Sequence, residues 1–159
     1  MQAKVYEYLL TYAPQILICE DDKEAALCAD AASFAGFSAF KLPDFRAKKG
    51  DDLRSFNEEL FEISSVLSKY YKFDGKKIII SPFSTLLNPL PTQKNLESST
   101  IKLKDNLNLS EFADLLIRFG YECVDIVESV GEFSIRGEVI DIYGVNMDDP
   151  VRILLFGDE

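Results

Sequence analysis

The chain has 159 residues, 47% of them apolar, with 17 lysines and arginines against 27 aspartates and glutamates for a net charge of −10 and no histidine. The length suits one ordinary domain or two small ones, and the apolar share suits a packed core. Without histidine there is no Ser-His-Asp triad and no imidazole ligand, and three cysteines are too few for an all-thiolate zinc site, which leaves carboxylate-only magnesium binding as the metal chemistry open to it.

The cysteines, Cys19, Cys28 and Cys123, are odd in number and form no C-x-x-C pair, so free thiols are expected, buried at Cys19 and Cys28. No apolar run reaches membrane-spanning length, and Glu7 interrupts the N-terminal apolar stretch, so a reducing cytoplasm is the expected setting. Charge is uneven: residues 1–95 carry 12 basic against 13 acidic side chains, and residues 96–159 carry 5 against 14. A segment with a net charge of −9 repels a phosphate backbone, so a partner with a basic face suits it better than nucleic acid.

In chain order, residues 3–12 read as a helix that Pro14 cannot continue. The apolar run 15–19 reads as a buried strand. Asp21 caps a following helix, with Glu24 three residues on, and Ala25, Cys28, Ala29 and Ala32 give it a stripe of small residues that Gly36 ends. Residues 38–42 form a second strand, 43–52 a polar loop, and 53–71 an amphipathic helix with Phe56, Leu60, Ile63 and Leu67 on one stripe. After the Asp74-Gly75 turn, 77–81 is a third strand. Strands alternating with helices predict parallel pairing.

Residues 88–95, polar and with Pro89 and Pro91, read as a linker between domains at 1–91 and 92–159. Beyond it lie a short strand at 100–103, a helix capped by Ser110 and ended by Gly120, and strands at 122–127, 132–136, 139–143 and 151–156. Their short connections predict antiparallel pairing and a small, mainly antiparallel α+β domain.

A parallel α/β half raises the question of a nucleotide site. No phosphate-loop or dinucleotide fingerprint occurs, and the strand-to-helix turn at Glu20, Asp21 and Asp22 carries its own negative charge. The acidic doublets at Asp51-Asp52, Asp148-Asp149 and Asp158-Glu159 read as solvated loops.

Alternation along the last strands sorts their side chains. Phe133 and Ile135 oppose Glu132, Ser134 and Arg136, which puts Arg136 on the wet face. In 151–156, Arg152, Leu154 and Phe156 share one face, opposite Val151, Ile153 and Leu155. Either the strand is central and covered on both sides, with Arg152 tied to a nearby carboxylate, or this face is an exposed arginine-plus-aromatic patch of the kind enriched at binding hot spots.

The run GYECVDIVESVGEFSIRGEVIDIY at 120–143, with VRILLFGDE at 151–159, resembles a signature of the N-terminal, UvrB-like region of bacterial transcription-repair coupling factors and of UvrB itself. IIISPFSTLL at 78–87 and FKLPDF at 40–45 extend the likeness. The resemblance implies a degenerate helicase-like parallel α/β domain lacking a phosphate loop over 1–91. It implies an inserted α+β domain over 92–159 that docks UvrA, the damage-recognition ATPase of nucleotide excision repair, through Arg136, Arg152 and Phe156. Two departures touch this region: Glu138 stands where a small residue usually follows Arg-Gly, and Gly144 where proline is frequent.

Only 14 residues precede the first strand, leaving no room for a phosphate-loop strand, and 43–52 holds no tyrosine of a damage-probing segment. Both favour the coupling factor over UvrB. The implied role is a non-catalytic recruitment module, without cofactor or metal, cut from a longer ATP-driven DNA translocase that alone contacts RNA polymerase and DNA. The rival readings are a UvrB-like ATP-dependent helicase fragment and a clamp that restrains the parent motor.

Overall fold

The computed structural model describes residues 2–101 and 108–155, in two compact units, Met1–Ser98 and Ser99–Glu159. In the first, helix α1 (Gln2–Tyr12) ends where Ala13 takes a left-handed φ of 44° ahead of Pro14. Strand β1 (Ile16–Cys19), helix α2 (Asp22–Phe34) and strand β2 (Ser38–Lys41) follow. A 3-10 turn (Leu53–Phe56) leads into helix α3 (Asn57–Lys72), and then come strand β3 (Lys77–Pro82) and short helices α4 (Phe83–Leu86) and α5 (Gln93–Ser98). The sheet order is β1-β3-β2, with both pairings parallel.

A middle strand buries both of its faces, and the alternating side chains of β3 do so. Ile78 and Ile80 pack with Cys19, Ala25, Cys28 and Ala32, where the small side chains of α2 let the helix lie close to the sheet. Ile79 packs on the other side with Leu42, Phe45, Ile63 and Leu67. The helical stripes expected from spacing are therefore the buried ones, with Phe56, Leu60 and Ala29 at their margins.

The loop at 43–52 is polar in composition but is pinned to α4. The Thr85 hydroxyl donates to the Pro43 carbonyl at 2.6 Å and accepts from the Phe45 amide at 3.0 Å. The Ser84 hydroxyl donates to the Asp44 carboxylate. Phe45 is thereby held in the core, edge-on to Phe56 with ring centroids 5.5 Å apart.

Residues 88–95 are not a free linker. Leu90 and Leu96 pack against the α3 cluster, and the first unit runs to Ser98.

The second unit consists of helix α6 (Leu109–Arg118) and a four-stranded sheet of β4 (Glu122–Cys123), β5 (Glu132–Arg136), β6 (Val139–Ile142) and β7 (Val151–Leu154), in that order. Asn108, not Ser110, caps α6, its side-chain oxygen accepting from the amides of Ser110 at 3.0 Å and Glu111 at 3.2 Å. β5, β6 and β7 pair antiparallel as expected, but β4 pairs parallel to β5 and is only two residues long. The connection reverses twice, braced where the Glu132 carboxylate accepts from the amides of Glu128 and Ser129 at 2.7 and 2.8 Å. The strand expected at 100–103 is not formed at Thr100 and Ile101, and its other two residues lie outside the described ones. Phe112 and Leu116 of α6 close the core against Phe133, Ile140 and Ile142.

Two substitutions test this packing by urea unfolding. Thr85→Val should cost about 2 kcal/mol by leaving a buried amide and a carbonyl without their partner, and Phe133→Ala about 3–5 kcal/mol by opening a cavity.

Candidate protein-docking site

The hairpin joining β5 to β6 turns on Gly137-Glu138, with Gly137 at a φ of 60°. A two-residue turn of this hand favours glycine at its first position, and it sets the register of everything after it. Arg136 falls opposite Val139 and Ser134 opposite Asp141. On the other side of β6, Leu154 falls opposite Val139 and Arg152 opposite Asp141. Phe133, Ile140 and Ile142 point into the core. The opposite face carries Ser134, Arg136, Val139, Asp141, Arg152 and Leu154; Ser134 is buried there, and Arg136, Arg152 and Leu154 are the exposed members.

On that face two guanidinium groups converge on one carboxylate. Arg152 binds Asp141 with two N–H groups, Nε at 2.6 Å from Oδ1 and Nη2 at 2.8 Å from Oδ2. Arg136 reaches diagonally to the same Oδ2 with Nη2 at 3.0 Å. The Asp141 side chain is 14% exposed, beneath arginine side chains that are 61% and 62% exposed. The Arg152 hydrogen bond is the largest influence holding the Asp141 carboxyl below the usual carboxylate range, with Arg136 acting the same way and burial opposing. Pairs this open to water add little to stability; what they determine is where the guanidinium groups stand.

Both earlier alternatives for the last strand are therefore partly met. Arg152 is tied to a carboxylate, but β7 is not covered on both sides: it is the end strand of the sheet among the described residues, with Val151, Arg152 and Leu154 exposed. Arg136 and Arg152 lie on one face, two strands apart, joined through Asp141. Phe156 lies outside the described residues. The carboxylate that meets Arg136 is Asp141, not the neighbouring Glu138. Asp141 was missed as a site residue, although counting back from a two-residue turn at Gly137-Glu138 puts it on the Arg136 face. Leu154, 53% exposed beside Arg152, was seen on that face but not singled out.

Other reactive groups are tied into the fold. Asp21 accepts from the Glu24 amide at 2.8 Å and Glu24 from the Glu20 amide at 2.6 Å, so carboxylates of the chain itself occupy the start of α2. Burial, aided by the neighbouring Cys28, pushes the Cys19 thiol up to about 12, and burial also raises Cys28. Cys123 is exposed. Among the described residues no three His, Cys, Asp or Glu side chains gather as a metal site, and no helix is long and apolar enough to cross a membrane.

Two measurements follow. With a thiol-reactive dye, Cys123 should label rapidly and Cys19 and Cys28 slowly, and Cys123→Ser should remove the fast phase. Because the folded-state pKa of Asp141 is lowered, its contribution to stability is complete above the unfolded value and is lost as pH falls through the folded one. The stability gap between wild type and Asp141→Asn should therefore stay constant above about pH 5 and narrow below about pH 4, as read by chemical denaturation across that range.

Residues 100–159 match the family described as the UvrB interaction domain. The chain is 44% identical over 137 residues to the transcription-repair-coupling factor of Helicobacter pylori (strain 26695), an overlap covering 83% of the chain and 14% of that protein. The Bacillus subtilis transcription-repair-coupling factor is 38% identical over 84 residues, 52% of the chain and 7% of that protein. The Myxococcus xanthus one is 26% identical over 157 residues, 92% of the chain and 13% of that protein. The chain thus spans only a small part of the length of these curated relatives. Residues 100–159 are similar to the UvrB interaction domain family, and the chain as a whole to transcription-repair-coupling factors.

Proposed function

We propose that this chain is the N-terminal, non-catalytic module of a transcription-repair coupling factor and that it recruits UvrA to stalled RNA polymerase. The second unit, residues 99–159, is the docking unit, and its wet β-face is the surface that UvrA meets. Arg136, Arg152 and Phe156 are the anchors. The observation that carries this reading is the joining of Arg136 and Arg152 on one exposed face, with the apolar Leu154 beside them, in a domain matched to the UvrB interaction family. Arginine is enriched at interface hot spots, whereas leucine is not, so the two arginines carry the reading and Leu154 adds apolar area beside them.

The first unit is a degenerate helicase-like α/β domain. Its parallel β1-β3-β2 sheet supports this, and its one strand-to-helix turn of phosphate-binding type already holds Asp21 and Glu24. ATP hydrolysis, DNA translocation and contact with RNA polymerase belong to the remainder of the longer parent. Addition of Mg-ATP should leave the melting temperature of this chain unchanged; a concentration-dependent rise would favour the helicase reading.

Titration of the cognate UvrA with wild type, Arg136→Ala, Arg152→Ala and Phe156→Ala, each checked for folding by circular dichroism, tests the docking site. Arg152→Ala and Phe156→Ala should each weaken binding tenfold or more, on the order of hot-spot truncations. Equal affinities for all four folded proteins would sink the assignment.

A further inference from the structure

We infer that Asp141 is a positioning residue of the docking face: it sets the Arg136 and Arg152 guanidinium groups in place so that a carboxylate-bearing surface of the partner meets donors already aimed at it. This rests on the docking reading above.

A guanidinium group is planar and carries five N–H donors in a fixed fork. Arg152 turns its Nε and Nη2 edge to Asp141, so its Nη1 side faces away from that carboxylate. Arg136 engages Asp141 through Nη2. The cluster holds two positive charges and one negative, and the negative one is recessed. A partner approaching the face meets arginine nitrogens, not the aspartate, and finds a net positive charge in a segment where 5 basic side chains stand against 14 acidic ones.

Without Asp141 two guanidinium groups would share one strand face with nothing between them. Like charges would drive them apart, and each would regain rotamers that a partner must then freeze. With Asp141 part of that ordering is done in the free protein, which is how preorganisation raises affinity. The bidentate geometry on the partner's side of the fork selects a planar acid, so the chemistry recognised is an aspartate or glutamate side chain on the partner.

The opposite role is also physically defined. If Asp141 only competed with the partner for the arginines, removing it would release positive charge and tighten binding. The two roles differ in sign.

The experiment compares UvrA binding by wild type, Asp141→Asn, Arg152→Ala and the double variant, using the whole 159-residue chain. Asp141→Asn should weaken binding roughly tenfold, and its effect should be smaller in the Arg152→Ala background than in wild type, because one of the two arginines through which the aspartate acts is then gone. Nitrogen-15 spectra of the free chain supply a readout that general stability does not move. Arg152 Nε–H should give a resolved, slowly exchanging signal in wild type, lost in Asp141→Asn and partly restored in Asp141→Glu. Unchanged or tighter binding by Asp141→Asn, or losses that multiply in the double variant, would overturn the inference. If Arg152→Ala itself leaves affinity unchanged, the docking reading fails and this inference falls with it. If Arg152→Ala weakens binding and Asp141→Asn does not, only the positioning role fails. Should the Asn variant not fold, Asp141→Thr, a strand former without a carboxylate, gives the same test.

Discussion

The register of the second sheet is the constraint on which the Arg136–Asp141–Arg152 cluster, the proposed docking face, depends. A two-residue turn with Gly137 in the left-handed region allows one alignment of β5 with β6, and a one-residue slip would exchange the core and solvent faces. In the register observed, Phe133, Ile140 and Ile142 enter the core under α6, while Arg136 is exposed on the other side above the recessed Asp141. The burial of three large apolar side chains thus holds the polar constellation in place. The site is a by-product of the core in energy, though not in chemistry.

The return of β7 completes the site from a distance. The loop between β6 and β7 is braced at two points: the Tyr143 hydroxyl donates to the Asp148 carbonyl at 2.8 Å, and the Val145 amide donates to the Tyr121 hydroxyl at 3.1 Å. Burial raises the pKa of Tyr121, consistent with a neutral hydroxyl serving as acceptor here. Leu155 donates its amide to the Glu138 carbonyl at 2.9 Å, tying the end of β7 to the hairpin turn. Glu138, the departure from the family pattern beside Arg136, therefore contributes its backbone to this tie, while the charge opposite Arg136 comes from Asp141.

The first unit uses polar residues for a different end. Its carboxylates and hydroxyls are turned inward on the chain: Asp21 and Glu24 on amides at the start of α2, Thr85 and Ser84 on the 43–45 loop segment, Asp44 on Arg46. Such groups lower the cost of burying or ending backbone. In the second unit, by contrast, Arg136 and Arg152 are partnered through Asp141 yet remain exposed.

Local sequence was enough to read the parallel first sheet, the stripes of α2 and α3, the faces of β5 and β7, and the charge division between the halves. These follow from side-chain period, capping preference and composition, all of which act over a few residues. It misled at residues 88–95, where prolines suggested a linker but Leu90 packs, partly buried, against the α3 cluster, and at β4, where a short connection suggested antiparallel pairing. It was silent on Asp141 as a member of the site, because an aspartate on a strand reads as ordinary solvated surface until its cross-strand neighbours are known. Alternation could place Arg136 and Arg152 each on a face but could not bring them to a common carboxylate. That juxtaposition needs two strand pairings at once, one across a tight turn and one across a longer loop, and only the folded sheet decides the second.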